Sequence, residues 1–558
     1  MIVILVAAFS ISIFLYNYVL YPLLFNKLIR QKVPGPWLYK LSSVLILNDT
    51  RLERRSTKLQ QLHAKYGPVV MIGPKEVSLN SQDLMKKVYL RNFPKEYIKN
   101  GIRTTGFYSQ FSVYGEHNMF STGDNATHLS KKRPLQKLFS KTSILSSENF
   151  IRSKVDAVSE TVKKIGPNSN VDVYSLFISL AMDVVTGFEY GTKFSTDLVK
   201  ELSHSSKNLT LDHSIFNDFQ QSNTLWFYVT LLPTALPIIS TLKGLKSSTE
   251  NAYGWMYDKF EQSAEAIANG EDVNLEGFPV PTVIELMFDK AKARVTNDPE
   301  IKDPSSNNTV HQRQMNAIAS EIADQVVAGH ETTGTTLAYL FWELSRPANA
   351  HWQALLRKDV DGFKEFKDLE SKLILNAILQ EIYRLHPAIP GLEPRFVPPG
   401  NSLECALGQK NCKIPEGTIV SCQPWTLHRL PVFGSEPDKF KPERWLKEDG
   451  EPEQMFSKRI QAMNSALFTF GQGNRMCIGM HLAICQMKLC VALLYTQFQT
   501  RISPDWCPVV IEKNSDVKMG KQNCITDIDK MSMADVYTTH PLHDECWLQF
   551  EEARIDSS

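Results

Sequence analysis

The chain has 558 residues, enough for one large domain or two to three ordinary ones, and at 43% hydrophobic it can bury a sizeable core. A formal net charge of +1 gives no argument for a nucleic acid or an acidic partner. Nine cysteines, all at or after Cys405, do not fit a secreted disulfide scaffold and point to a reducing compartment.

In chain order, residues 1–26 read as a transmembrane anchor. "MIVILVAAFSISIFLYNYVLYPLLF" carries no charged side chain through Phe25, and about 20 apolar residues span a bilayer as a helix. Tyr16, Tyr18 and Tyr21 sit where amphipathic rings favour the interface. Lys27, Arg30 and Lys32 then place the following chain in the cytosol. The alternative, a cleaved signal peptide, needs its positive charges before the apolar core rather than after it. Residues 27–37 form a basic, proline-rich hinge, in which "KVPGPW" cannot extend a helix. Residues 38–558 show no linker and read as one catalytic domain.

Within that domain, "PVVMIG" (Pro68 to Gly73) reads as a strand among helical stretches, and residues 125–345 read as mostly helical. Met315, Ile318, Ile322 and Val326 follow three- and four-residue steps, predicting a helix over 315–345. Leu373 to Leu385 is a second helix, ended by Pro387. Residues 391–425 have the composition of short strands and turns. Leu482, Cys485, Leu489 and Leu493 make another helical face, and Ala534 to Phe550 reads as a terminal β-hairpin. The expected class is mainly α with small β-sheets.

Three constellations carry chemistry. In "FTFGQGNRMCIG" (Phe468 to Gly479), glycines surround Cys477 just before a helix. A thiolate is a strong metal ligand, and backbone N–H groups with a helix N-terminus keep it anionic. In "AGHETTGTT" (Ala328 to Thr336), glycine and threonine weaken the middle of a long helix. Threonine hydroxyls open a groove there, and Glu331 beside Thr332 offers a carboxylate and a hydroxyl as a proton path. Glu381 and Arg384, three residues apart, share one helix face. A zinc site built from His481, Cys485 and Cys490 is the rival for the cysteine region, but it lacks the paired knuckles of structural zinc.

Phe470-x-x-Gly473-x-Arg475-x-Cys477-x-Gly479 resembles the haem-binding signature of the cytochrome P450 family, and the whole chain is similar to the fungal microsomal members. The resemblance implies a P450 fold behind an N-terminal anchor and a haem b cofactor (iron protoporphyrin IX). Cys477 would be the ligand of the haem iron, with Arg475, Phe470 and Gly471 in the cofactor-binding loop. Thr332 and Glu331 would deliver protons for oxygen activation. Glu381, Arg384 and Arg444 (in "FKPERW") would form a structural cluster. Arg395 in "EPRF" sits where relatives place a propionate contact, and His428 in "TLHR" where they place a propionate or supporting residue. His128 and Lys132 stand where relatives carry tryptophan or histidine followed by arginine; Arg133 is an equal alternative for that contact. Residues 510–530 look like an insertion.

The implied reaction inserts one atom of O₂ into a hydrophobic small molecule by hydroxylation, epoxidation or oxidative ring chemistry in secondary metabolism. Xenobiotic or fatty-acid hydroxylation is the alternative substrate class. Electrons would come from NADPH through a membrane-bound reductase, since no flavin or nicotinamide motif follows the haem region. The expected location is the endoplasmic reticulum membrane, single-pass, with the catalytic domain cytosolic. An oxygen-independent haem isomerase or dehydratase is a second reading, and a non-enzymatic haem protein a third. The expected substrate contacts are the loop Phe107 to Asn118, helix residues Asp324, Gln325 and Ala328, the turn Ala388 to Leu392, and Thr539 to His543.

Overall fold

A computed structural model describes residues 20–210, 249–297 and 307–552, apart from 105, 167, 206–207 and 408–409, together with positions 9, 12, 13, 15 and 16. Most of the expected anchor lies outside the described residues. At its end Tyr21–Phe25 is helical, with Leu23, Leu24 and Phe25 exposed.

Two helices make the centre of the body. Asn307–Ser345 has 39 residues, about 58 Å at 1.5 Å per residue. It starts earlier than the apolar period indicates, because the turns before Met315 are polar and carry no periodic signal. Val173–Tyr190 lies against it with every residue buried. This helix is apolar and long enough to cross a membrane, but its complete burial makes it the core helix of the fold. The close approach depends on Gly334. A Cβ there would lie 2.7 Å from the Ile178 Cα, so only a hydrogen fits. The Phe177 and Phe341 rings close the same contact at 4.6 Å. The mid-helix glycine therefore has a packing cause that outweighs its propensity cost of about 1 kcal/mol.

The helix Leu373–Leu385 matches its expected bounds, and Met480–Gln497 follows the cysteine loop. Asn125–Leu135, which carries His128 and Lys132, is capped by the Asp124 side chain, which accepts from Thr127 N at 2.6 Å.

Small sheets border the helices. Val69–Gly73 and Glu76–Leu79 pair antiparallel; Ile419–Cys422 joins the second strand in parallel, and Glu393–Phe396 closes the edge with Arg395 opposite Val420. Ser402–Leu407 and Lys410–Pro415 form a hairpin. The expected terminal hairpin from Ala534 does not form. Only Trp547–Glu552 is a strand, and its partners are Phe498–Ile502 and Asn170–Asp172. Residues 534–540 instead form a turn closed on itself by Ala534 N donating to His540 O (2.9 Å) and held to a neighbouring loop by Thr539 N donating to Ala388 O (2.8 Å). Segment 510–530 is tied to the loops before the cysteine. Val517 N donates to Asp438 O and Asn514 Nδ2 to Phe440 O, both at 2.8 Å.

Candidate active site

The cysteine loop is pinned from several sides. Gly471 and Gly473 take φ of 70° and 71°, and a Cβ on Gly473 would collide with the Tyr89 carbonyl. Cys477 N donates to Phe470 O at 2.8 Å. The Phe470 ring meets Tyr383 edge-on at 5.5 Å. His428 is fully buried. Its Nε2 accepts from Phe468 N at 2.9 Å and its Nδ1 faces Arg384 O at 3.0 Å. Lys132 Nζ donates to Asn474 O (2.9 Å) and Met476 O (2.7 Å). It thus clamps the segment that leads into Cys477, while Arg133 is exposed.

Cys477 lies deep in the protein, yet its side chain is open to an internal space. Burial pushes the thiol up; the N–H groups of Gly479 and Met480, at the start of the following helix, and the Lys132 ammonium oppose that shift. Ala328, in the middle of the central helix, is likewise exposed.

Cations gather nearby. Arg475 donates to the carbonyls of Thr122 (2.7 Å), Gly123 (3.0 Å) and Asp124 (3.2 Å). Arg395 Nη1 donates to Tyr108 OH at 2.8 Å. Burial and the Arg395 charge lower Arg475 to about 9. Sequence reasoning missed Lys95, whose Nζ lies 3.6 Å from the Tyr108 ring centre and donates to Phe120 O at 2.8 Å. Burial, then Arg395 and Arg475, push its ammonium well below the usual range. No local pattern marks Lys95, because only the fold brings it to the other two. His128 is buried with an unpartnered Nδ1. Burial, then Arg475, Lys95, Lys132 and Arg395, lower it to about 2.

These features fit a haem. A desolvated thiol faces open space, and three buried cations repel one another strongly enough to lower Lys95 and Arg475. An imidazole nitrogen lacks a partner.

Against the central helix lies a cavity of about 800 Å³. Phe107, Gln110, Phe111, Asp324, Ala328 and Leu392 line it, as do His543, Glu331 and Thr332. It thus gathers most of the expected substrate contacts. Gln325 is buried beside Glu321 instead, and Thr539 is buried with its hydroxyl donating to Ala534 O. Thr332 Oγ1 donates to Ala328 O at 2.6 Å, within the helix. Burial raises Glu331 to about 7; the His540 charge and a hydrogen bond from the Thr538 side chain hold it from rising further. Thr538 escaped sequence reasoning, and His540, expected among the substrate contacts, instead acts on Glu331 from a turn where a hairpin is expected.

Behind the cysteine loop, Glu381, Arg384 and Arg444 meet. Arg384 donates to Glu381 from Nε (2.9 Å) and Nη2 (2.7 Å), Arg444 Nε at 3.3 Å, Trp445 Nε1 at 3.0 Å and Lys441 N at 2.9 Å. Burial alone would raise this carboxyl, yet Arg384 and then Arg444 hold it below the ordinary range. Cys485 and Cys490 pack as buried apolar residues, and no three His, Cys, Asp or Glu side chains converge as a metal site among the described residues.

The mainly helical body and a thiol presented on a glycine loop define a haem-thiolate protein. The Cytochrome P450 family signature matches residues 34–526, and the chain belongs to that family. It is a haem-thiolate monooxygenase that draws electrons from a redox partner. Curated relatives include pisatin demethylase of Fusarium vanettenii, 25% identical with 88% of each chain covered. Cytochrome P450 monooxygenase aflV of Aspergillus parasiticus is 26% identical, with 86% of each covered. Trichothecene C-15 hydroxylase of Fusarium sporotrichioides is 25% identical, covering 89% of this chain and 91% of the relative.

Proposed function

We propose that this chain holds haem b through Cys477 and uses Glu331 and Thr332 to oxidise a hydrophobic product of secondary metabolism. Arg475, Arg395 and Lys95 supply charge for the two propionates, and the His128 Nδ1 is a further donor. Phe470 and Gly471 shape the loop, and Lys132 fixes its approach to the thiol. Glu381, Arg384 and Arg444 stiffen the region behind it. When bound, the haem supplies oxygen activation, and the cysteine thiolate donates electron density that favours O–O cleavage.

The chain's own residues do the remaining work. The aromatic wall of Phe107, Phe111 and Phe120 takes an apolar substrate and excludes water. The Thr332 hydroxyl, held on Ala328 O, orders proton donors, and Glu331 supplies them. A carboxyl raised to about 7 gives and takes protons near neutrality. The names of the relatives, which act on pisatin and a trichothecene, support a secondary-metabolite substrate. Residues 1–26 anchor the protein in the endoplasmic reticulum membrane, residues 27–37 form a hinge, and residues 38–558 face the cytosol as the catalytic domain. An NADPH-dependent reductase in the same membrane supplies the electrons.

The observation that carries the oxygenase reading is the Glu331–Thr332 pair lining the cavity beside exposed Ala328. Thr332→Ala tests it. With reductase and NADPH, the variant should retain haem and consume NADPH, but release most of its electrons as hydrogen peroxide. Peroxide yield equal to wild type would favour the oxygen-independent isomerase reading.

A further inference from the structure

Inserting one oxygen atom and releasing the other as water consumes two electrons and two protons. The protons must reach Thr332 from solvent, and Glu331 is enclosed by protein. Its surroundings come from a part of the chain with no recognisable motif. The turn after Ala534 brings Thr538, His540 and Asp544 onto the wall of the same cavity as Glu331 and Thr332. The turn is held rigidly. Ala534 N donates to His540 O, Thr539 N to Ala388 O, and the Thr539 hydroxyl to Ala534 O at 2.8 Å.

His540 Nδ1 lies 2.7 Å from Asp544 Oδ1 and 3.0 Å from Pro541 O. Both neighbours are acceptors, so Nδ1 carries a proton and Nε2 is the nitrogen that titrates. The Thr538 side chain donates to the Glu331 carboxylate. The Asp544 side chain is 23% exposed and that of His540 12%, so the pair keeps some accessible surface while Glu331 is enclosed.

We propose that His540 and Asp544 form a proton-loading pair for Glu331, with Thr538 positioning the carboxylate that receives the proton. This deepens the oxygenase reading and rests on it. A proton taken up at His540 Nε2 passes to the Glu331 carboxylate, through the Thr538 hydroxyl or one water. Asp544 holds the imidazolium until transfer and the neutral imidazole in its tautomer afterwards. Glu331 then gives the proton to the Thr332 hydroxyl network, and His540 reloads from solvent. The N–H bond at His540 Nε2 breaks as an O–H bond forms on Glu331, and no oxidation or reduction occurs. His540 and Asp544 are positioning residues that act through Glu331.

The charges around the pair suit this role. The charged partners of Glu331 are His540 and Asp544. From the neighbouring helices Tyr174 faces both Asp544 and Glu331 and Tyr339 faces Asp544, and burial keeps both phenols neutral. Burial would lower His540, but Asp544 and then Glu331 raise it above the ordinary imidazole value, while Glu331 sits at about 7. Both groups are thus raised, and near neutrality the Glu331 carboxyl both takes and gives a proton. A permanently charged lysine or arginine in place of His540 would instead lock the carboxylate in its ionised form.

The test uses the full-length, haem-loaded chain with its reductase in a detergent micelle or nanodisc. NADPH oxidation is followed in H₂O and D₂O with no added substrate, so that oxygen reduction is read alone. His540→Gln and His540→Phe should slow it by about tenfold or more, because positioned proton transfer contributes about 10²–10⁴-fold and water replaces part of it. The solvent isotope effect should rise in both variants. Infrared titration of the Glu331 carboxyl band, assigned with Glu331→Gln, should move to higher pH in His540→Gln, since a neighbouring cation is gone. Histidine NMR of Asp544→Asn should show the His540 midpoint moved down. Wild-type rates and isotope effects in both His540 variants, or an unmoved Glu331 band, would overturn the proposal. The oxygenase reading fails separately, if Thr332→Ala leaves peroxide release unchanged.

Discussion

Glu381→Gln probes the frame behind the cysteine loop. The Glu381 carboxylate is fully buried and accepts from five donors: two on Arg384, one each on Arg444 and Trp445, and the Lys441 amide. Glutamine keeps the shape but loses the charge, and turns an NH₂ donor toward donors. Arg384, itself fully buried, keeps its bonds to the carbonyls of His428, Pro437 and Lys439 but loses its counter-charge. Breaking one side of a buried ion pair costs about 3–5 kcal/mol, a large part of a typical total of about 5–15 kcal/mol. At about 1.4 kcal/mol per tenfold, the unfolding constant rises roughly 10²–10⁴-fold. Urea unfolding should be read twice, by far-ultraviolet circular dichroism and by the thiolate signal of the carbon monoxide adduct. Both midpoints should fall, the thiolate signal first, because His428 ties this cluster to Phe468 of the loop. The double variant Glu381→Leu/Arg384→Leu should cost less than the two single changes added together, since neither charge is then left alone. A Glu381→Gln protein with wild-type midpoints in both signals would refute the reasoning.

Other predictions are more local. Lys132→Met removes two bonds to the carbonyls of Asn474 and Met476 and the cation that favours the thiolate. Absorbance should show the carbon monoxide adduct converting to the form without thiolate ligation faster than in wild type, with the helical content unchanged. Burial, and next the Arg384 charge, lower His428 to about 3. The folded protein therefore keeps this imidazole neutral while the unfolded chain takes up a proton below about 6.5. The associated stability is present above 6.5 and is lost as pH falls from 6.5 toward 3. Relative to His428→Gln, wild type should lose about 2 kcal/mol between pH 7 and pH 5. Urea midpoints at the two pH values check this, and a pH-independent difference contradicts it.

Much of the fold was legible because the signals were periodic. The steps through Ile318, Ile322 and Val326 placed the central helix, and Pro387 fixed the end of the Glu381 helix. The cysteine loop was legible because its chemistry is local: glycines, a cation and a thiol within one turn. What escaped the sequence depends on long-range placement. Lys95 meets Arg395 and Arg475 through three separate segments. His540 reaches Glu331 only because Ala388 pins the turn that carries it. The terminal hairpin was misread because alternation over 534–550 resembles a strand pair, whereas the strand Trp547–Glu552 pairs with Phe498–Ile502 far upstream in sequence. Gly334 looked like a helix weakness, and its packing against Ile178 shows only in three dimensions.

The most direct measurement is the carbon monoxide difference spectrum of the reduced, full-length protein, taken beside Cys477→His. Thiolate ligation predicts a strongly red-shifted Soret band in wild type and its loss in the variant, with haem retained by imidazole. A correctly folded, haem-loaded wild type without that band, or a Cys477→His variant that keeps it, would contradict the sulfur-to-iron bond on which the oxygenase rests.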